Sequence, residues 1–218
     1  MSEIVARAPF EPPVAGVTLL DPQLEAGAAP AALDALPGRP RWLRQVHGAG
    51  VIDLDAWHEG AVADGAWTDR PGEVVIVRTA DCLPILVAEP RGACVAAIHA
   101  GWRGLAAGIV AATVVRLPVP AARLHAWIGP RICANCYEVG DDVRGALAEH
   151  AGAFAPGRPE RWQADLPAIA TEQLRRAGVR MVADCALCTA GEARLCSARR
   201  DGQPGRMATA AWIAPAGH

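Results

Sequence analysis

Residues 74–104 read VVIVRTADCLPILVAEPRGACVAAIHAGWRG, and the three apolar runs in this stretch set the architecture that we expect. The first two runs, Val74–Thr79 and Leu83–Ala88, are rich in β-branched and aliphatic side chains and predict strands. A turn quartet at residues 89–92 separates the second run from a third at residues 93–98. This order predicts a β-hairpin built from the second and third runs.

The length of the turn decides which residues face each other across this hairpin. Pairing Ala88 with Ala93 places Cys82 opposite His99, and directly opposed residues of an antiparallel pair have Cβ atoms roughly 4.5–5.5 Å apart. A thiolate and an imidazole at that spacing can share one metal ion. Because Pro84 cannot donate to a ladder, a one-residue slip that separates the pair remains an alternative.

Further apolar runs predict strands, and segments with helical spacing lie between them. The predicted strands lie at residues 42–46, 124–128, 179–182 and 207–213, and the predicted helices at residues 105–116, 141–150 and 166–177. Asp141 or Asp142 is expected to cap the second helix, whereas Asp165 opens the third and Gly178 ends it. Hairpins with segregated helices favour an α+β domain, a mixed β-sheet with helices packed on it.

Three residues that follow apolar runs and enter turns can form a metal site, namely His47, Cys82 and His99. Two imidazoles and one thiolate suit Zn²⁺, which keeps a fourth position open when the site is catalytic. A metal lowers the pKa of water bound there to about 7. The alternative is that Cys82 is a small buried side chain and the histidines are hydrogen-bonded structural residues.

Short motifs spread over residues 40–213 carry a family resemblance. They are WLRQVHG at 42–48, ADG at 63–65, TADCLP at 79–84, HAGWRG at 99–104, IGP at 128–130, YEVG at 137–140, RRDG at 199–202 and GRM at 205–207. They resemble the polyphenol-oxidase or laccase-domain family, also described as purine nucleoside phosphorylases of the YfiH type. The resemblance implies a CNF1/YfiH-like single domain at residues 41–218, after a short Pro- and Ala-rich segment at residues 1–40.

The resemblance also implies an activity and a set of site residues. The activity is phosphorolysis of adenosine, inosine and methylthioadenosine, together with adenosine deamination, with a nucleoside and phosphate as small-molecule partners. In such proteins the histidine of QVHG, the cysteine of TADC and the histidine of HAGWRG hold one zinc ion, which implies His47, Cys82 and His99. Substrate contacts are implied at Arg44, Gln45, Tyr137 and Arg200.

Two further residues are candidates for the chemistry. Asp81, beside Cys82, is the carboxylate that we expect to move protons during deamination. The alternative role for Asp81 is to orient His47 or His99. Phosphorolysis requires a cation for phosphate, and Arg103 lies where the strand of His99 turns into a predicted helix.

Other functions remain open on the same residues. A copper-dependent polyphenol oxidase would use Cu²⁺, although a four-copper centre needs more imidazoles than the six histidines of the chain can supply. A thiol hydrolase would use Cys82 as nucleophile and His99 as base. A binding or scaffolding protein would keep its metal for stability alone.

Two C-x-x-C pairs form the rival metal hypothesis. Cys133 with Cys136 and Cys185 with Cys188 can make a structural Cys₄ zinc site, although the gap between the pairs is longer than in a zinc ribbon. Ordinary thiols in turns are the alternative.

The chain departs from the family pattern at both ends. Residues 1–40 lack the Arg-x-Gly-Gly turn and the Leu-Asn-Leu-Gly segment, and prolines make them too broken for a long element. Ala198 replaces an aromatic residue, and Pro204 stands where threonine is common. We expect the absent N-terminal segments to leave one wall of the substrate pocket missing or rebuilt, and the two changes near the C-terminus to remove ring stacking and one hydroxyl contact. The prolines of this segment are Pro9, Pro12, Pro13, Pro22, Pro30, Pro37 and Pro40.

Composition excludes several classes of protein. The 218 residues are 52 % hydrophobic, which suffices for the core of one domain. A net charge of −2 gives no electrostatic case for binding nucleic acid or membranes. All 21 basic residues are arginine, which excludes a Schiff-base lysine or a Walker lysine. With no secretory or membrane segment apparent, we expect a cytoplasmic protein, and its oligomeric state is left open.

Overall fold

The computed structural model describes residues 3–21, 33, 36–202 and 205–215, so the predictions at Pro22, Pro30 and Pro204 lie outside it. Its strands are β1 (Glu3–Arg7), β2 (Val14–Asp21), β3 (Val51–Asp53), β4 (Gly65–Thr68), β5 (Val74–Thr79), β6 (Leu83–Ala88), β7 (Val95–Ala100), β8 (His125–Ile128), β9 (Glu138–Val139), β10 (Phe154–Pro156), β11 (Trp162–Ala164), β12 (Met181–Asp184) and β13 (Arg206–Ile213). Its α-helices are α1 (Trp102–Ala106), α2 (Ile109–Val114), α3 (Asp141–Ala146), α4 (Leu166–Arg176) and α5 (Ala198–Asp201).

The strands form three sheets. A six-stranded mixed sheet has the order β12-β8-β6-β7-β4-β3, a four-stranded antiparallel sheet has the order β1-β2-β13-β5, and a small third sheet has the order β10-β11-β9. One face of the six-stranded sheet packs on the four-stranded sheet, and its other face packs on α1, α2 and α4. Strands and helices are thus segregated into layers, which confirms the predicted α+β class.

Strands β6 and β7 occupy the middle of the six-stranded sheet. Every residue of both strands is buried, because one sheet face is covered by strands and the other by helices. This double burial explains why their sequences are continuous apolar runs without the alternation of a half-exposed strand.

The register of this hairpin differs from the prediction. Ala88 pairs with Val95, so Pro84, and not Cys82, lies opposite His99. The turn is longer than the quartet because the carboxylate of Glu89 accepts hydrogen bonds from backbone N–H groups inside it. A slip of two residues preserves the face on which each side chain lies, so Cys82 and His99 still meet beyond the strand end.

Glu89 stabilises this turn as a buried anion. Its Oε2 accepts from the backbone N–H groups of Arg91 and Ala93 at 2.9 and 3.3 Å, and its Oε1 accepts from Arg123 at 2.7 Å. Burial opposes ionisation, but the hydrogen bond from Arg123 and those from the backbone outweigh it. The pKa of the Glu89 carboxyl therefore lies below its ordinary value of 4.5.

The N-terminal segment is not too broken for a long element. Strand β2 has 8 residues and pairs with β13 along its whole length. Pro9, Pro12 and Pro13 lie in the connection between β1 and β2, where they leave the strands uninterrupted. Because β2 belongs to the same sheet as β13, this segment is built into the main fold, and the boundary at residue 40 stays a prediction.

Other predicted elements are shifted or divided. Residues 42–46 form no strand and make only an isolated bridge from Arg44 to Val62. The helix predicted at residues 105–116 is two helices, since Gly108 has a positive φ of 81°. The helix predicted at residues 141–150 ends at Ala146, and its N-cap is Gly140.

Helix α4 confirms its prediction almost to the residue. The side chain of Asp165 accepts from the backbone N–H of Ala168, and Gly178 follows the last turn with a φ of 97°. Within the part of the chain that is described, no helix combines the length and apolar character that crossing a bilayer requires.

Candidate active site

His47, Cys82 and His99 come together at one end of the six-stranded sheet. One ligand atom from each lies within 4.8 Å of the others. His99 is on β7, Cys82 lies in the turn between β5 and β6, and His47 comes from an irregular loop instead of the predicted strand. The sequence hypothesis that these three donors converge is therefore supported by the geometry.

Asp64 orients His99. Its Oδ1 lies 2.8 Å from Nδ1 of His99, and both side chains are buried. This contact leaves Nε2 of His99 for the shared space with Cys82. The rings of His47 and His99 meet edge to face, with centroids 4.7 Å apart.

The same carboxylate holds the loop that carries His47. Asp64 accepts hydrogen bonds from the backbone N–H groups of His47 at 2.8 Å, Gly48 at 2.7 Å and Val46 at 3.2 Å. Because one buried carboxylate fixes both histidines, Asp64 is a positioning residue for the site. No role for Asp64 was predicted from the sequence, in which its place in the ADG motif at residues 63–65 was the available signal.

The three donors favour a thiolate at Cys82. Burial would raise the pKa of this thiol, but hydrogen bonds and charge from His47 and His99 outweigh it and lower the pKa to about 6. Burial likewise opposes a charge on His99, yet Asp64 and Cys82 raise the pKa of this imidazole to about 9. A deprotonated sulfur is the form that binds a metal or acts as a nucleophile.

Two site residues have strained backbones. His47 has a φ of 61° and Asp81 a φ of 86°, in the left-handed region that non-glycine residues rarely adopt. Such conformations cost of order 1–3 kcal/mol each and persist where the surroundings over-determine them. Here the hydrogen bonds to Asp64 and those made by Asp81 supply that constraint.

Gly101 allows the donors to approach its backbone. A Cβ at this position would lie 2.9 Å from Sγ of Cys82 and 3.3 Å from Cδ2 of His47. Any larger residue must therefore push the sulfur or the ring away from the common point. This close approach explains the glycine in the HAGWRG motif.

A cavity of about 860 Å³ opens beside the three donors. Five arginines line it, together with two aromatic side chains, Trp102 and Tyr137. Each aromatic ring lies under a guanidinium, at 4.4 Å for Arg103 over Trp102 and 5.0 Å for Arg199 over Tyr137. The arginines of the lining are Arg44, Arg78, Arg103, Arg199 and Arg206.

Most of the predicted substrate contacts line this cavity, and Arg200 does not. Arg44, Tyr137 and Gln45 belong to the lining, but the amide of Gln45 is already bonded at both ends to the backbone of Arg78. Gln45 thus joins its loop to β5 and is a structural contact. Arg200 donates instead to carbonyl oxygens of Thr189, Glu192 and Leu195 and to Asp201, which corrects its predicted role.

Asp81 lies in the cavity lining but orients neither histidine. Its Oδ1 accepts from Oγ1 of Thr189 at 2.6 Å, and its Oδ2 accepts from the backbone N–H of Arg199 at 2.7 Å. The predicted alternative role is therefore wrong, since Asp64 performs the orienting. Asp81 is thus fixed next to Cys82, with each carboxylate oxygen accepting one hydrogen bond.

The donor set fits a metal ion. His₂Cys is a combination that Zn²⁺ accepts, and a carboxylate on the second nitrogen of a ligating histidine is the usual support for such a ligand. The contact between Asp64 and His99 supplies that support. His47 is exposed and Cys82 partly so, which leaves one side of the group open to the cavity.

Several known proteins are similar to this chain in sequence or in fold. The purine nucleoside phosphorylase of Xylella fastidiosa is 42% identical over 191 residues, which is 82% of this chain and 74% of that protein. The Escherichia coli purine nucleoside phosphorylase YfiH is 39% identical over 184 residues, covering 82% and 75%. In the crystal structure of the Neisseria meningitidis protein NMB0706, the TM-score is 0.87 at 32% identity, covering 95% of this chain and 97% of that one.

The family match spans most of the sequence. The family described as multi-copper polyphenol oxidoreductase laccase matches residues 27–214, which include all three donors and the whole cavity lining. The relatives named as phosphorylases support an enzyme that acts on small molecules. The chain belongs to the multi-copper polyphenol oxidoreductase laccase family, the family that the motifs of its sequence predict.

Proposed function

We propose that this chain is a zinc-dependent purine nucleoside enzyme that cleaves adenosine, inosine and methylthioadenosine with phosphate and also deaminates adenosine. The observation that carries the proposal is the His47, Cys82 and His99 donor set beside a cavity lined by five arginines. The names of the relatives, purine nucleoside phosphorylase in each case, support the same reaction class.

The arginines supply an anion site. Guanidinium groups recognise phosphate through paired N–H donors, and Arg44, Arg103 and Arg78 all line the cavity. Burial and the charge of Arg206 lower the pKa of Arg78. Because like charges face one space here, a bound phosphate dianion relieves their repulsion.

The aromatic residues supply faces for a purine ring. Trp102 and Tyr137 line the cavity, and each already stacks with an arginine. Burial, followed by the charge of Cys82, raises the pKa of Tyr137 to about 12, so its phenol stays protonated at neutral pH. Tyr137 can therefore donate a hydrogen bond to a base or sugar oxygen.

Phosphorolysis breaks the bond between the sugar C1′ and the purine nitrogen. A phosphate oxygen held by the arginines attacks C1′, the bonding electron pair leaves with the base, and the base then takes up one proton. Sugar 1-phosphate and free purine are the products. The task of the chain is to hold both reactants in line and to neutralise the phosphate charge.

Deamination replaces the amino group at C6 of adenosine by oxygen from water. A bound Zn²⁺ would supply Lewis acidity and activation of water. Asp81, fixed by Thr189 and the backbone of Arg199, accepts the proton of the attacking water and passes it to the leaving ammonia. His47, Cys82 and His99 are the residues that would hold the ion.

The direct test is incubation of the zinc-loaded protein with adenosine, with and without phosphate. Adenine and ribose 1-phosphate that appear only with phosphate, together with inosine that appears in both cases, support the proposal. The absence of both products would contradict the proposal. Removal of zinc by a chelator should abolish both reactions, and added zinc should restore them.

Substitutions separate the two reactions. Arg78→Ala should raise KM for phosphate without changing deamination, whereas Asp81→Asn should reduce deamination by about 100-fold or more. Arg116→Ala is the matched control, because this exposed arginine lies just after α2, donates to the carbonyl of Ala112 and is not part of the cavity lining. Equal effects of Arg78→Ala and Arg116→Ala would contradict the phosphate site.

A thiol hydrolase is the second candidate, favoured by the lowered pKa of Cys82. Alkylation of Cys82 distinguishes the thiol hydrolase from the zinc enzyme. Protection of Cys82 by zinc supports the metalloenzyme, whereas fast labelling of metal-free protein with loss of esterase activity supports the hydrolase. The site groups two of the six histidines, fewer imidazoles than a four-copper centre needs. Oxidase activity that appears only after copper is added would therefore mark phenol oxidation as adventitious.

A further inference from the structure

We propose that Cys133, Cys136 and Cys188 form a second, structural metal site for a thiophilic divalent cation such as Zn²⁺. One sulfur from each of the three residues lies within 4.8 Å of the others. In a tetrahedral zinc site with Zn–S bonds of about 2.3 Å, the sulfur atoms stand roughly 3.8 Å apart. The three thiols thus need to close by no more than about 1 Å to bind one ion.

The local backbone supports this assignment. Cys133 is the N-cap and Cys136 the last residue of the 3₁₀ turn Ala134–Cys136, in which the N–H of Cys136 donates to the carbonyl of Cys133 at 3.0 Å. This tight turn accompanies the close approach of their sulfur atoms. The backbone N–H of Cys133 donates to Sγ of Cys188 at 3.3 Å, a contact that stabilises negative charge on that sulfur. All three residues are partly exposed, so an ion can reach them from solvent.

The site differs from the Cys₄ site that the two C-x-x-C pairs suggested. Cys185 donates its backbone N–H to the carbonyl of Ile128 and packs against the apolar cluster between the two large sheets. It is absent from the thiol group, and no fourth protein ligand joins the other three among the residues that the structure describes. A fourth ligand would therefore come from solvent.

The three thiols lie on two loops that both contact Asp81. Cys133 and Cys136 lie on the loop between β8 and β9, and Cys188 lies on the loop after β12. Both loops hold Asp81: the N–H of Ile132 donates to its backbone oxygen at 2.9 Å, and Thr189 donates to its carboxylate at 2.6 Å. An ion that joins the two loops thereby fixes Asp81 in the strained conformation seen in the active-site wall.

Metal analysis tests the site without relying on activity. The zinc content should be about two equivalents in the wild-type protein, about one in Cys188→Ser and about one in Cys82→Ala, because each substitution removes a ligand from a different site. Cys185→Ser is the matched control and should retain the wild-type content. A wild-type content in Cys188→Ser would overturn the proposal, whereas a change in Cys82→Ala alone reports on the active site.

Thiol mapping on the unmodified protein covers the case in which a variant fails to fold. Zinc should protect Cys133, Cys136 and Cys188 from alkylation, a chelator should expose all three together, and added zinc should protect them again. Cobalt in place of zinc should give thiolate-to-metal absorption that Cys188→Ser weakens. A disulfide between two of these cysteines, or equal labelling with and without zinc, would refute the site.

Discussion

Replacing Asp64 by Asn removes one negative charge from a buried group that holds both histidines of the candidate active site. The amide oxygen can take the place of Oδ1, which accepts from the backbone of His47 and from Nδ1 of His99, both at 2.8 Å. In the native chain Oδ2 of Asp64 accepts a hydrogen bond from the backbone N–H of Gly48 at 2.7 Å. In the variant the amide NH₂ takes the place of Oδ2 and faces that N–H. Two donors meet there, and neither is satisfied.

The expected cost follows from these contacts. An unpaired buried N–H costs about 1–3 kcal/mol, and each of the other two bonds loses about 1 kcal/mol when its acceptor is no longer ionised. The free energy of unfolding should fall by roughly 3–5 kcal/mol in total, which for a chain of this size lowers Tm by roughly 6–20 °C. Zinc affinity should fall about 10–100-fold, because His99 loses the carboxylate that orients it.

Calorimetric melting of the metal-free protein measures the first effect, and zinc titration against a chromophoric chelator measures the second. Asp55→Asn is the control, since this exposed carboxylate pairs with Arg70 at the surface and should change stability by no more than about 0.5 kcal/mol. If Asp64→Asn melts and binds zinc like Asp55→Asn, the positioning role assigned to Asp64 is wrong.

Gly101 and Glu89 give two further predictions. Gly101→Ala should lower zinc content and activity at little cost to Tm, because the added Cβ lies 2.9 Å from Sγ of Cys82. The control is Gly145→Ala in α3, where the added Cβ meets no atom within 4 Å and should stabilise the chain by about 0.5–1 kcal/mol. Equal zinc content in the two variants would contradict the prediction for Gly101. Glu89→Gln should reduce the free energy of unfolding by about 1–3 kcal/mol at pH 7. Because the folded pKa of Glu89 lies below 4.5, its stabilisation is present above that pH and is lost as the pH falls through the folded value, so urea denaturation curves of wild type and variant should converge in acid. A difference that is constant between pH 7 and pH 3 would count against the buried anion.

The apolar runs predicted part of the fold well. Strands β5 and β6 have the predicted bounds, since double burial leaves a continuous apolar signature that can be recognised from sequence. The register was missed because the side chain of Glu89 organises the turn through bonds to its backbone, and hydrophobic periodicity carries no information on such bonds. The break at Gly108 was missed for a similar reason, because one glycine inside an apolar helical pattern does not reveal a positive φ.

The sequence predicted the three donor residues of the candidate site, but not the residue that positions them. His47, Cys82 and His99 carry recognisable chemistry, whereas Asp64 acts through backbone contacts that only the folded chain brings together. Arg199 and Arg200 are adjacent in helix α5, yet Arg199 lines the cavity whereas Arg200 donates hydrogen bonds to backbone carbonyl oxygens. Motif letters alone cannot separate two neighbouring guanidinium groups that point in different directions.

The burial of β6 and β7 on both faces has a consequence for how the metal enters the protein. Cys82 directly precedes β6 and His99 belongs to β7, so we expect the packing of these enclosed strands, and not a bound ion, to bring the two side chains together. We expect the chain without an ion at His47, Cys82 and His99 to be folded around this site and able to exchange a metal there. The species bound at any moment then reflects the free metal concentrations around the mature protein, and not a selection made while the chain was acquiring its shape.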